Sequence, residues 1–472
     1  MTRDYTQYTG AKKIFAFIKQ AITGGEQDYT RGSIRTAVLL LAIPMILEMM
    51  LESVFGVVDI FFVGRINNEA VTAVGLTESV LTIVYSVGIG LSMAATALVA
   101  RRTGEKNNEG ASKSAAQSIL FALIVTIFVS IAGVVFAPAI LRTMGAIPSV
   151  VAEGVIFTRI IFSGSIFIML LFLINGIFRG AGDASLAMQS LWLANACNII
   201  LCPMLINGWG PFPKLGIEGA ALATTIGRCI GVLYQLYRLA GNKGILRIHL
   251  RYFIPDWQQL KSIVNLAWTG TFQFLVGSLS WMFLARIMAD FKDPSIYAGY
   301  QVAIRLIMFF LLPAWGMSNA VATLVGQNLG AKEPGRAEKS TWKAAKYNII
   351  FMALVSVFFL FGSTPLVEFM NKDAVTQKYA IEALHIVSLG YIFYGLGMVM
   401  MNAFNGAGDT KTPTIINIAC FWFFQIPFAY LLTSYWHLGP QGVFIAIVST
   451  EILVCIVSTI VFMQGKWKKV VV

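Results

Sequence analysis

The sequence predicts an all-α integral membrane protein with twelve transmembrane helices in two pseudo-symmetric six-helix lobes. Three observations carry that expectation. Apolar residues make up 57% of the chain and charged residues only 12%, whereas a soluble domain carries about 25% charged residues. Apolar stretches of bilayer-spanning length, about 20 residues, recur from end to end. Blocks of the first half of the chain also return in the second half at a constant spacing.

Polar breaks separate twelve apolar segments, at 34–63, 69–99, 115–140, 150–176, 187–208, 217–240, 260–289, 296–325, 343–367, 379–403, 414–436 and 440–463. Barrel strands would be short and alternating, so the segments read as helices. The net charge of +12 does not indicate nucleic acid once the charges are placed. Lys and Arg concentrate in connections on one predicted side, including RRTGEKNNEGASKS (101–114), 238–261, GAKEPGRAEKS (330–340) and KWKK (466–469). Such an asymmetry orients a membrane protein with that side in the cytoplasm, here together with both termini. The basic excess then faces anionic headgroups.

Cys197, Cys202, Cys229, Cys420 and Cys455 all fall inside predicted spans, without a CxxC pair, and read as small packing residues. Residues 1–33 lack the pattern of a signal peptide. In AKKIFAFIKQAI, Lys12, Lys13 and Lys19 flank Ile14, Phe15, Phe17 and Ile18, which suits a helix lying on the membrane surface; a disordered tail is the alternative.

The repeat is clearest in two glycine-rich stretches, FRGAGDASLAM from Phe178 and FNGAGDTKTPT from Phe404. GLSMAATALVARRTGEKNNEGASKS from Gly90 pairs at the same spacing with GMSNAVATLVGQNLGAKEPGRAEKS from Gly316, and LGIEGAALAT pairs with LGPQGVFIAI at nearly that spacing. An even number of spans per half keeps both halves in one orientation, related by an axis along the membrane normal. The expected organisation is a cytoplasmic segment at 1–33, a first lobe at 34–240, a cytoplasmic connection at 241–259, a second lobe at 260–463 and a cytoplasmic tail at 464–472. The GAGD stretch lacks the Lys-Ser/Thr pair and strand of a phosphate-binding loop, and no βαβ pattern surrounds it. It reads as a tight cytoplasmic turn between the fourth and fifth spans of each half. Gly180, Gly182, Gly406 and Gly408 would permit positive φ and close backbone approach. Asp183 and Asp409 would hold the turn by accepting from backbone N–H groups, and Thr412 before Pro413 reads as a helix N-cap followed by proline at the first helical position. A hinge is the alternative role.

These stretches, with VDIFFVGRINNEAVTAVGL (58–76), GAALAT and YQVAIRLIMFFLLPAWGMSNAVATLVGQNLGA (300–331), resemble the multidrug and toxic compound extrusion family, over both halves of the chain. The resemblance implies two six-helix lobes around a central cavity and efflux driven by inward flow of H⁺ or Na⁺. It further implies no cofactor and a monomer in a bacterial inner membrane.

An ionisable group inside a span is a functional candidate by default. Glu48, Glu52 and Asp59 fall near one face of the first span, in a stripe about 16 Å long, which should face the lobe interior or the cavity. Asp59 resembles the family's first-helix Asp, implicated in cation coupling. Glu48 and Glu52 fall outside the recognised motif and are either relay or substrate carboxylates or buried packing groups. Glu78 in the second span is similar, and could pair with Arg159 or Arg305. In the fifth span, some family members carry an Asn and, four residues later, an Asp that join the first-helix Asp in a cation site. Asn198 matches the Asn, but Cys202 stands at the Asp position. A hard cation prefers oxygen ligands, whereas a lone carboxylate can still carry a proton, so the departure favours H⁺. Thr224 in GAALAT is a candidate oxygen for the same site.

Some branches of the family also carry acids in the seventh and tenth helices; here the seventh span has none and the tenth only Glu382, so coupling is expected in the first lobe. His385 reads as a packing residue, and Arg228 and Glu451 occupy matching positions in the sixth and twelfth spans. Hydrophobic organic cations are the expected substrates, attracted by the first-lobe acids and by aromatics, with Met and aromatic side chains giving an adaptable wall. A flippase for a lipid-linked saccharide is the alternative; it would want a basic cavity for a pyrophosphate. No paired nucleophile and base or metal cluster suggests an enzyme.

Overall fold

The computed structural model describes residues 11–25, 27–64, 66–241, 244, 246–291 and 293–471, without the side chains of residues 11–14, 57, 59, 60 and 68. Among the described residues the regular structure is entirely helical. A short helix α1 (Ala11–Thr23) precedes α2 (Ile34–Val63), α3 (Asn68–Gly104), α4 (Asn108–Thr143), α5 (Pro148–Ser163), α6 (Ser165–Ala181), α7 (Ala184–Asn207) and α8 (Gly216–Ala240). The second unit contains α9 (Trp257–Ala289), α10 (Pro294–Gly330), α11 (Pro334–Met370), α12 (Ala374–Ser388), α13 (Tyr391–Ala407), α14 (Lys411–Asn417), α15 (Ile426–Tyr430) and α16 (Pro440–Met463).

Among the described residues eleven helical stretches are long and apolar enough to cross a bilayer, and α12 with α13, bent by 57° at a short break, make a twelfth if taken as one span. The fourth span is the unbroken pair α5 and α6, joined at Gly164; the tenth breaks at the matching Gly390. The eleventh runs from Lys411 to Tyr435, and its backbone widens to π geometry at Ile418–Gln425 and Leu431–Tyr435, on either side of Pro427. A proline removes one ladder hydrogen bond, and a locally widened helix is a usual accommodation.

Polar side chains start the helices where the sequence leaves the membrane. Asn67, Asn107, Asp183, Asp256, Asp293 and Asp373 each accept from a backbone N–H of the first turn that follows, satisfying donors the helix leaves open. Asp256 also takes the Lys113 ammonium at 2.7 Å, and that hydrogen bond, with the backbone N–H groups of Gln259 and Gln258, holds its carboxyl below the usual range. The fully buried Gln117 donates to the carbonyls of Tyr252 and Ile254 at 2.6 and 2.7 Å, so the basic connection between the units is clamped to α4. Helix α1 packs on α2, and Gln189 donates to its Ile22 carbonyl at 3.1 Å. Arg336 of α11 donates to the carbonyls of Tyr29, Arg31 and Gly32.

Each GAGD stretch forms the expected turn, with two distinct uses of glycine. Gly182 and Gly408 sit at φ 91° and 85°, left-handed backbone that side chains disfavour. Gly180 and Gly406 are packing positions: a Cβ there would lie 2.8 Å from the Thr96 carbonyl oxygen and 2.2 Å from that of Ala322. Asp183 accepts from the Leu186 N–H at 3.3 Å, and Asp409 from the Thr412 N–H at 3.2 Å. The expectation for Thr412 needs correction. The helix begins at Lys411, so Thr412 lies inside it, and its hydroxyl donates to Asp409 at 2.6 Å. A carboxylate accepts the first-turn N–H better placed than the hydroxyl one turn later.

Gly406→Ala should therefore lower the melting midpoint in detergent, by the equivalent of a few kcal/mol, because backbone rather than a flexible side chain stands in the way. Gly75→Ala, in mid-helix with nothing within 4 Å of its Cβ position, should leave the midpoint unchanged or raise it. Equal melting of the two variants would overturn the packing role of Gly406.

Candidate functional site

The two units meet through swapped partners: α2 of the first packs on α10 of the second, and α9 of the second packs on α3 of the first. A Cβ on Gly90 of α3 would lie 2.5 Å from the Ala267 carbonyl oxygen, and one on Gly316 of α10 would lie 2.4 Å from that of Met45. Further along the same helices, a Cβ on Gly104 would lie 2.0 Å from the Gln327 carbonyl oxygen and one on Gly330 2.1 Å from that of Arg101. Among the described residues, the hydrogen bonds between the two sets of spans all fall at this GAGD end. Arg101 donates to the Ala407 carbonyl at 3.3 Å, Thr323 to that of Arg179 at 3.0 Å, and Gln327 to that of Gly180 at 3.0 Å.

Beyond this seal the units part around a cavity of about 670 Å³. Its walls are mainly apolar, with Tyr85 and Phe172 from the first unit and Phe274, Trp315 and Phe421 from the second. Its charged lining residues among those described are Glu48, Glu52, Arg179 and Glu451.

The first-unit carboxylates are built into hydrogen-bonded networks. Glu48 of α2 is 1% exposed. Asn175 donates to its Oε1 at 3.1 Å, and Arg179 stands 3.8 Å from the same oxygen, while Oε2 has no hydrogen-bond partner. The Asn175 carbonyl in turn accepts from Ser190 at 3.0 Å and Gln235 at 2.7 Å, which fixes its amide towards Glu48. Arg179 also donates to Ser92 at 3.2 Å. One turn along α2, Glu52 receives Arg228 at 2.8 Å on one oxygen and Asn195 at 3.0 Å on the other. The Arg228 guanidinium also lies 5.1 Å from the centre of the Phe55 ring.

Asp59 lies on α2, and its side chain is outside the described residues. Asn198 and Thr224 meet, the amide donating to the hydroxyl at 2.9 Å; the Asn198 carbonyl oxygen is buried without a hydrogen-bond partner. Cys202, one turn on, is fully buried. None of these three lines the cavity, and Glu78 is exposed on α3 away from it. His385 is paired with Ser363 at 2.8 Å. Sequence reasoning did not find the partners Arg179, Asn175 and Asn195, nor the pairing of Arg228. The available signal for Arg228 was an arginine inside an apolar span.

The MatE family profile matches residues 44–204 and 271–431. The probable multidrug resistance protein NorM of Thermotoga maritima is 27% identical over 92% of this chain and 94% of its own length. A protein named FAD transporter from Shewanella oneidensis is 24% identical over 88% of this chain and 91% of its own. The solved outward-facing structure of a multidrug resistance MATE family transporter of the MOP superfamily superposes with a TM-score of 0.88 and 27% identity, covering 94% of this chain and 98% of that one.

Removing one member of a buried ion pair leaves a charge without compensation, at a cost of about 3–5 kcal/mol, whereas removing both is much milder. Glu52→Gln should therefore lower the detergent melting midpoint clearly, and adding Arg228→Gln should restore much of the loss. A double variant as unstable as the sum of both singles would show that the pair is not coupled.

Proposed function

The chain belongs to the MATE family of membrane transporters, and from that premise we propose that it is a secondary-active multidrug exporter that expels hydrophobic organic cations in exchange for H⁺. The observation that carries this reading is the large cavity between two symmetry-related units that are closed together at the GAGD end. That geometry is what alternating access by rocking of two repeats requires. With the basic connections in the cytoplasm, the sealed end is cytoplasmic and the cavity faces outward, in the state from which substrate leaves. The cavity is complete within one chain, so a monomer in the plasma membrane, the inner membrane of a two-membrane cell, suffices.

Exchange needs an ion that binds one conformation better than the other. Glu48 is suited to that task, since one carboxylate oxygen has no partner and the other faces Arg179, whose own carbonyl accepts from Thr323 across the seal. Protonating Glu48 removes the charge opposite Arg179, and so bears on a residue that touches both units. Asp59, nearer the far end of α2, is the second proposed proton site. Na⁺ is the less favoured ion: the Asn198–Thr224 pair provides oxygens, but Cys202 supplies a thiol where a hard cation wants a carboxylate. The cavity's charged lining holds three carboxylates and one arginine, which disfavours the flippase reading, because a pyrophosphate would be repelled.

Proteoliposomes with an imposed pH gradient should take up a cationic dye with wild-type protein and release protons in exchange, and Asp59→Asn should abolish the exchange while keeping the fold. Uptake that responds to a Na⁺ gradient alone would replace H⁺ as the coupling ion; silence under both gradients would overturn the antiport reading. Cys202→Asp should introduce a Na⁺ response, and its absence would count against a cation site at Asn198.

A further inference from the structure

The charges that line the cavity are not alike. Glu48 and Glu52, the acids of the first unit, each face a guanidinium and an amide donor. Their charge is largely cancelled before any substrate arrives. Glu451, on α16 of the second unit, also lines the cavity and is 6% exposed. Among the described residues it has neither a hydrogen-bond donor nor a cation opposite it. The ionisable groups that face it are the Tyr394 hydroxyl and the thiols of Cys420 and Cys455, and none of these brings positive charge. Arg228, its counterpart by sequence position, has turned to Glu52 instead.

A buried carboxylate left without a partner is costly in a protein, and the cost falls when a cation arrives. The surroundings select which cation. Helix α13 lies against α16 here, since a Cβ on Gly397 would sit 3.6 Å from the Cys455 Cα. That brings Tyr394 and Met398 beside Glu451 on the wall, with Phe421 and Val454 completing it. Among the described residues no group of three or more His, Cys, Asp or Glu is arranged to hold a metal ion. A ring face and a thioether, by contrast, favour a bulky apolar cation.

From this arrangement we propose that Glu451 is the anionic subsite that binds the positive charge of an organic cation, with Tyr394, Phe421 and Met398 packing on its apolar body. This rests on the reading of the cavity as a site for hydrophobic compounds. It relocates cation recognition from the first unit, where the sequence led us to expect it, to the second. The first-unit acids are then left to proton coupling, so that the two tasks fall on opposite walls.

The test uses the purified full-length protein in detergent and two probes of similar shape, tetraphenylphosphonium and the neutral triphenylphosphine oxide. Glu451→Gln should weaken tetraphenylphosphonium binding by about tenfold or more while triphenylphosphine oxide binding stays within about twofold. Glu451→Asp, which keeps the charge, should retain most of the cation affinity. Unchanged tetraphenylphosphonium binding in Glu451→Gln would overturn the subsite, as would an equal loss of both probes in both variants. Wild-type protein that binds only the neutral probe would overturn the subsite and leave the exporter reading standing; binding of neither probe would overturn both.

Discussion

The arrangement depends on close backbone contact between the two units at symmetry-matched glycines. Gly90 and Gly316 stand at equivalent places in the repeat, as do Gly104 and Gly330. Each presses a bare Cα against a carbonyl oxygen of the other unit. Between helices in a bilayer there is little hydrophobic drive to associate, so close packing at small residues and hydrogen bonds carry the contact. Both are present at the GAGD end, where Arg101, Thr323 and Gln327 bond across the interface to main-chain carbonyls. Buried apolar side chains surround these contacts, with Val38, Leu41 and Met45 of α2 in one core cluster with Met317, Val321 and Leu324 of α10. The other part of the interface between the units is open as the cavity.

The symmetry of the frame makes the asymmetry of its charges informative. Matching positions in the sixth and twelfth spans hold Arg228 and Glu451. If duplication alone governed them, each would have a like environment. Instead Arg228 is paired with Glu52 in the first unit, whose other oxygen accepts from Asn195, while the position matching Glu52 is Ser278, a neutral cavity residue. The second unit thus keeps its acid and lacks the partner. Two walls with the same helix arrangement therefore present different electrostatics to whatever occupies the space between them.

Much of this frame was legible in the sequence. The twelve apolar segments, the repeated GAGD turns and the even span count per half follow from local hydropathy and from self-similarity, which need no tertiary information. The stripe of Glu48 and Glu52 was legible too, because helical periodicity is local. What the sequence withheld was partner choice. Arg228 and Glu52 lie far apart in the chain, and nothing local distinguishes Arg228 as a partner from Arg159 or Arg305. The break in the tenth span was equally hidden, since Leu389-Gly390 sits inside an apolar run whose hydropathy does not change across it. The expected cap at Thr412 failed for a related reason: proline at position 413 suggested a helix start, while the carboxylate of Asp409 was already satisfying the first-turn N–H.

The proposed exchange requires that ion and substrate each distinguish a closed from an open state of the seal. Arg179 is where such a distinction can be made. Its guanidinium lies beside Glu48 and Ser92 on the cavity wall, and its carbonyl belongs to the seal through Thr323. It also sits in the turn of helix just before the GAGD glycines, whose packing against α3 leaves little room for local adjustment. A change of charge at Glu48 therefore acts on a residue that cannot relax by itself without disturbing either the α3–α6 packing or the contact to α10. In the proposed exchange, rigid attachment would let one proton on Glu48 bear on the position of a whole unit: interfaces packed this closely have discrete arrangements rather than a continuum of them.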